Sequence, residues 1–434
     1  MTKGTDTSIW LDKKSRDIAK RICEALAKKR SNNGISSDPL LDLYLTKISS
    51  CIKREFRPTR CLGPLIAASP QPDHTFSIDT FENEVLKANR KLKDLKHHAW
   101  RFYAPLHITF NRPNNRFACQ FEGLRIVVST DRIPTNKFVD LVSKCGCDRT
   151  LQLYRHSRKR GLTYFSAVAI FQSRGPTAHS AWSKVASQFD LFRGALEFAF
   201  GGGGWGFGTP PKPQRQIQIE TWMMAECHET GEIEPVHFDY PISTLEIDRK
   251  LWNPTNLDFQ KHRNFRFHQR RVRKRYPPNS CNTLLADCFR MYALAMDQPH
   301  SAMQLLHYWQ IAEAITLSKE FGGDTKLVCK RIAYFFNLPD LSIRDACEVL
   351  YVIANARNNY VHHGDESNIS DFIVQSLRWG CQDAMAWIAT NCHLIKSHRE
   401  LIDFFELHSK SEGQLINHRK LVDDVLEYKS RDTR

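Results

Sequence analysis

The sequence lacks any long hydrophobic run. Nowhere do the ~18 consecutive apolar residues of a membrane-crossing helix occur, so no membrane partner is expected. The opening stretch MTKGTDTSIWLDKKSRDIAK has no apolar core of the kind a secretory leader needs, and a cytoplasmic location is the expectation. Cysteines are present but unpatterned. Thirteen are dispersed along the chain, as suits a reducing compartment. Cys145-Gly-Cys147 is the one close pair, and no second pair completes a four-ligand set, so neither a metal nor a cofactor is expected. The run Gly201 to Gly204 is not followed by Gly-Lys-Ser/Thr, and it leaves a helix rather than opening one. A phosphate-binding loop of the Walker type is thereby excluded, and the segment reads as a loop or lid.

Acidic residues are also in short supply. Asp and Glu total 47 against 62 Lys and Arg, a formal charge of +15 that raises the local concentration of polyanions, and nucleic acid is the first candidate. At 434 residues the chain exceeds one ordinary hydrophobic core, so more than one folded region is expected.

Residues 10 to 30 and the stretch from Phe81 to Phe102 carry narrow apolar stripes at helical spacing. From Ala104 the pattern changes to strands in LHITF, FACQFEGLRIVVST and LTYFSAVAIFQS, rich in β-branched and aromatic residues and bounded by turn-forming clusters. A helix carrying Trp182, Val185, Phe189, Phe192 and Leu196 follows and stops at Gly201; RQIQIETWMMA reads as a further strand. Residues 1–245 are thus an expected α+β region. Residues 246–278 form a basic segment in which Arg266, Arg270, Arg271, Arg273, Lys274 and Arg275 alternate with Phe267 and Tyr276. Cations suit phosphates and aromatic faces suit unpaired bases, although a solvated linker helix fits the same residues. Residues 279–434 read as an all-α bundle of about five helices with a polar helical tail, Ser342 and Ser370 serving as helix starts.

Two residues break the apolar faces of this bundle. Ile343, Cys347, Leu350, Ile353, Ala354, Arg357 and Val361 share one stripe, which places a guanidinium on an inward or interface face. Leu306, Trp309, Glu313 and Leu317 share another, which does the same for a carboxylate. Glu313 holding Arg357 in orientation couples the two, and a purely structural ion pair accounts for them as well. Asn358 and His362 add chemistry. An imidazole, titrating near ~6.5 in water, can move a proton between a 2′-hydroxyl, a leaving 5′-oxygen and solvent. A guanidinium stabilises charge on a five-coordinate phosphorus, and the amide can orient the phosphate or the ring. Positions five apart point ~140° from each other on an ideal helix. Arg357 and His362 therefore converge only if the helix ends near Val361, or if a symmetric dimer brings two copies of the motif together.

The string Arg357-Asn358-Asn359-Tyr360-Val361-His362-His363-Gly364 resembles the Arg-x4-6-His signature of HEPN domains. Its Arg-Asn-x-x-Val-His-x-Gly form, with the upstream YWQIAEAI, is most similar to the Apea-like branch of bacterial antiphage defence proteins, over about residues 279 to 400. The resemblance implies a HEPN-type bundle and a metal-independent endoribonuclease acting as a homodimer with a composite active site. It further implies a toxin or abortive-infection effector whose N-terminal region senses an unknown trigger. Arg357, Asn358 and His362 match the motif; Glu313 corresponds to an acidic helix position, and His363 fits the looser spacing. A non-catalytic dimerisation or nucleic-acid-binding module is the alternative.

Overall fold

The computed structural model describes residues 14, 16–21, 79, 81–83, 85–87, 96–106, 108–109, 116–145, 167–201, 222–237, 255–256, 258–298, 300–317, 324–336 and 342–432. Chain contacts divide it into two compact units, Met1–Ala99 with Arg174–Ala181, and Trp100–Ser173 with Trp182–Arg434. Within the first, Arg16 bridges Glu82 at 2.6 Å and Asp79 at 2.7 Å. The Gly-rich segment 202–221 lies outside the described residues, as does most of the N-terminal helical expectation.

The second unit is built on an α+β arrangement followed by helices. Strands β1 (His98–Leu106), β3 (Arg116–Phe121), β4 (Leu124–Ser129), β5 (Ala167–Gly175), β6 (Trp222–Cys227) and β7 (Ile233–His237) form a six-stranded sheet in the order β3-β4-β5-β1-β6-β7. A two-residue strand β2 (Ile108–Thr109) pairs in parallel with β8 (Thr255–Asn256). β1 overturns the helical expectation for its stretch. In HAWRFYAPL alternate large side chains serve opposite faces of a central strand, and Trp100, Phe102, Ala104 and Leu106 are all buried. β3 and β4 turn on Glu122 and Gly123, both at positive φ (43° and 94°), a tight hairpin that the dipeptide Glu-Gly permits.

One sheet face is covered by α1 (Arg132–Lys144), whose Phe138, Leu141 and Val142 pack with Tyr103, Val168 and Met224. The other face is aromatic. Phe102 stacks on Phe171 at 5.1 Å, and the contacts continue through Phe189 and Phe192 to Phe121 and Phe265. The single helix expected over Trp182 to Leu196 is two, α2 (Ala178–Ser183) and α3 (Ala186–Gly201), separated by a turn at Lys184 and Val185.

Then come α4 (Phe259–Arg271), α5 (Cys281–Asp297), α6 (Ser301–Thr316), α7 (Thr325–Ala333), α8 (Ile343–His363), α9 (Asp371–Asn391), α10 (His398–His408) and α11 (Glu412–Asp432). The expected starts hold: the Ser342 and Ser370 hydroxyls accept from the amides of Asp345 and Ile373. None of the described helices is long and apolar enough to cross a membrane.

α3 and α5 meet at unusually short range. A Cβ on Gly194 would stand 1.8 Å from the Phe289 carbonyl oxygen, so only glycine fits. Beside it Arg193, 2% exposed, donates to both carboxylate oxygens of Asp297 at 3.0 and 2.8 Å. Gly194→Ala would raise helix propensity in isolation, but here the added methyl must push the α3 and α5 backbones apart. The variant is expected to lose at least ~2 kcal/mol in urea unfolding, as overpacked cores do; a stability at or above wild type would contradict the close approach.

His268 on α4 is enclosed by Phe198, Phe267 and Phe289, and among the described residues its buried Nδ1 has no hydrogen-bond partner. Burial first, then the Arg271 charge, lowers its pKa to about 4. In the unfolded chain a histidine binds its proton near ~6.5, so the unfolded state holds more protons between that value and about 4. Stability is therefore full above ~6.5 and falls by as much as about 3 kcal/mol as pH drops through this window. His268→Phe should flatten that part of the stability–pH curve, and an unchanged slope would show the ring is not held neutral.

Candidate active site and basic cleft

The helix that carries Arg357 is cut to its length by its ends. Ser342 caps its start, and Gly364, at φ 69°, accepts the left-handed conformation that closes it, its amide donating to the Tyr360 carbonyl at 2.8 Å. Between them Ala346, Leu350, Ile353, Ala354 and Ala356 form the buried face. The apolar stripe expected from Ile343 to Val361 is thus buried only in its middle. Ile343 and Val361 are 46% and 47% exposed, because the helix runs past the α6, α7 and α9 surfaces that cover its centre.

Arg357 sits where cover gives way to solvent. Its guanidinium lies 5.8 Å from the Trp309 ring centroid, donates to Asn358 Oδ1 at 2.9 Å and stands 3.8 Å from Glu313 Oε1. Glu313 itself is fixed by the Trp309 indole N–H, which donates to Oε1 at 2.7 Å. Trp309 is buried, so one rigid indole orients both the acid and the cation. Among the described residues Arg357 Nε has no hydrogen-bond partner. The cation is therefore placed but not saturated by its own fold. Trp309 is the member of this cluster that the apolar pattern alone does not single out, since a stripe position suits a core tryptophan equally well.

His362 and His363 are not brought to Arg357. α8 continues helical through both, their rings are exposed, and they lie 6.3 Å apart, centroid to centroid. The early helix end that would let Arg357 and His362 converge within one chain does not occur, because Gly364 rather than Val361 supplies the left-handed stop. Next to them Asp365 has its carboxyl held below the usual range by the Ser367 hydroxyl and amide, with the His363 charge a smaller contribution.

The six basic residues of the second candidate region divide by occupation. Arg266 donates to the Ala118 carbonyl at 2.7 Å and Arg273 to Gln120 Oε1 at 3.1 Å, which ties α4 and its exit to β3. With its amide turned to satisfy its neighbours, Gln188 accepts from Arg275 at 3.1 Å. Arg270, Arg271 and Lys274 stay open to solvent or aromatic faces: Arg271 over Phe267 at 5.2 Å, Lys274 over Tyr276 at 5.3 Å. The segment expected as a linker is packed structure, with Phe265 fully buried against Phe117, Phe121 and Phe192.

The Glu313–Arg357 pair is long and half exposed, 24% for the arginine side chain and 38% for the acid, which places its worth at ~0–1 kcal/mol. A double-mutant cycle of Glu313→Gln and Arg357→Gln in urea unfolding should return a coupling below about 1 kcal/mol. A loss of several kcal/mol on Arg357→Gln would instead make the cluster a piece of the core. No family model, no curated protein and no solved structure matches the chain, so the meaning of these sites rests on their residues and geometry.

Proposed function

We propose that the chain is a metal-independent endoribonuclease of the HEPN type, working as a homodimer and serving as a toxin or abortive-infection effector in antiphage defence. The observation that carries the reading is Arg357 itself. It is a guanidinium positioned by Trp309, Glu313 and Asn358, left unsaturated at the edge of the bundle, one turn before two exposed imidazoles. The resemblance of RNNYVHHG to the HEPN signature gives this arrangement its reaction.

The 2′-oxygen of RNA attacks the adjacent phosphorus and gives its proton to an imidazole, His362 or His363. Arg357 stabilises the charge that gathers on the non-bridging oxygens, with Asn358 fixing the guanidinium through its Oδ1. The bond from phosphorus to the 5′-oxygen breaks, and an imidazolium returns a proton to that leaving oxygen. The products are a 2′,3′-cyclic phosphate and a 5′-hydroxyl. Because Arg357 and His362 diverge on one continuous helix, the reaction needs a second copy of α8 across a two-fold axis. Apolar side chains left in solvent one turn beyond Arg357 on that helix and at the start of α9, Val361 and Phe372, support a subunit contact there.

Purified protein should cut single-stranded RNA to ends carrying 2′,3′-cyclic phosphate or 3′-phosphate, at a rate unchanged by EDTA. His362→Ala and Arg357→Ala should each slow cleavage by at least ~10²-fold, the usual cost of losing a proton carrier or a charge stabiliser. Both should also abolish toxicity on expression, with the dimer retained in sedimentation. Wild-type cleavage by both variants sinks the assignment. Binding without new RNA ends leaves the non-catalytic module, and an absolute need for added magnesium replaces the imidazole with a metal-bound hydroxide.

A further inference from the structure

At the far end of α9 from the Gly364 turn lies a second feature that the cleavage chemistry does not use. Phe267, Arg270, Arg271, Tyr276, Asn282 and Cys392 line an open cleft of about 310 Å³, within the size range of small-ligand sites. Cys392 caps α9 at its C-terminal end, and α9 has 21 residues. At ~1.5 Å per residue this sets the cleft ~30 Å along that helix from the start that follows His362 and His363.

The walls are built rather than accidental. The Glu122 and Gly123 amides of the β3–β4 turn donate to the carbonyls of Val272 and Arg273 at 3.2 and 3.3 Å, which pins the chain as it leaves α4. Arg290 holds Glu122 at 2.5 Å, and Asn282 donates to the Arg271 carbonyl at 2.7 Å. The two aromatic rings and two guanidiniums thus line the cleft on a fixed backbone, Phe267 and Tyr276 each with a cation over one face and the other face left for a base. Among the described residues no carboxylate lies within 4 Å of Arg270, Arg271, Arg273, Lys274 or Arg275, whereas Arg193, Arg290 and Arg357 each have at least one. Five clustered cations without a counter-charge repel one another, and the fold tolerates this where an anion completes them.

We propose that this cleft binds a nucleotide unit, its base on the faces of Phe267 and Tyr276 and its phosphate on Arg270 and Arg271. Aromatic faces and forked guanidiniums side by side match the two halves of that ligand. Inorganic phosphate would use only the second half. The unit can be a free mononucleotide or one residue of a single strand. The inference goes beyond the cleavage reading and does not depend on it.

The test is fluorescence anisotropy of the full-length protein with a labelled 2′-O-methyl oligoadenylate, a strand without the hydroxyl that cleavage would consume. Competition with AMP, adenosine and ribose 5-phosphate follows. Arg270→Gln with Arg271→Gln should weaken strand binding at least ~10-fold and lower the slope of log K against log salt by about 1.4, the single-strand value for two phosphates. Tyr276→Leu should weaken it ~5-fold or more at unchanged salt slope, because stacking rather than charge is lost. Arg419→Gln with Lys420→Gln on α11 should change little, and melting temperatures report that each variant folds; if the double variant does not, Arg270→Gln alone serves, since that side chain is exposed.

AMP competing better than ribose 5-phosphate supports the cleft as a site for free nucleotide. Strand binding that is sensitive to the cleft variants, with no competition from AMP, supports a nucleotide held within a strand. Wild-type affinity in both cleft variants, or ribose 5-phosphate competing as well as AMP, overturns the proposal. Because binding is read on an uncleavable strand, failure of His362→Ala to stop cleavage would leave this result untouched.

Discussion

The second unit depends on the contact of α3 with α5. α3 lies against the aromatic face of the sheet through Phe189 and Phe192, and α5 opens the helical series. A glycine at the crossing lets the two backbones approach to the distance at which a methyl group would strike a carbonyl, and dispersion between them gains accordingly. Such an approach excludes water, so the polar groups beside it must satisfy one another. Arg193 and Asp297 do so through two parallel hydrogen bonds. Their pairing adds little net stability over an apolar pair, yet without Arg193 the Asp297 carboxylate would lose both of these hydrogen bonds in a buried setting; Arg193 itself keeps a second carboxylate, Asp190, at 3.0 Å. The seam is consequently intolerant of single changes, and sheet and helices are one packed body rather than beads on a linker.

That rigidity passes to both candidate sites by different routes. α5 and α9 meet through Tyr292, whose hydroxyl accepts from Arg378 and Gln382 at 2.8 Å each, a buried network that fixes the rotation of α9. α6 then presents Trp309 and Glu313 to α8. A half-exposed ion pair 3.8 Å long would wander by itself; a buried indole in contact with both partners restrains it. Among the described residues the imidazoles of His362 and His363 have no such restraint. They stand on the last turn, beyond the surfaces that cover the helix centre, and a group free in the monomer acquires a defined position only from what packs on it.

How much of this is legible in the sequence follows from the range of each interaction. The helices after Asn279 announce themselves because their apolar periods are long and their caps, Ser342, Ser370 and Gly364, are local chemistry. The first half of β1, up to Phe102, reads as helix because Trp100 and Phe102 mix with charged residues; only the sheet partners on either side make their alternation meaningful. α1 gives no clear signal, since Phe138, Leu141 and Val142 are just one turn of apolar side chains. At the site, Arg357, Glu313 and Asn358 stand out as polar residues on apolar faces or beside them, and they do cluster. Trp309 does not, because a tryptophan on a buried stripe needs no explanation until its N–H is seen to have a partner. The split of the six basic residues into tethered and open ones is beyond sequence altogether, since it depends on carbonyls of β3 more than a hundred residues away.

The split also explains why so basic a segment can end a helix inside a packed body. Arg270 and Arg271 lie in the last turn of α4, where the helix dipole and unpaired carbonyls favour cations. Arg266, half-buried, gives a donor to the Ala118 carbonyl, which offsets part of its desolvation cost, and the exposed Arg273 ties to Gln120 of the same strand. What is left is charge concentrated on one side of Phe267 and Tyr276. Burial on the opposite side is severe enough to hold His268, one turn from Arg271, neutral at any pH well above about 4. A protonated ring there would add a third positive charge to the last turn of α4, beside Arg270 and Arg271. A neutral ring adds no charge to Arg270 and Arg271, which line the cleft.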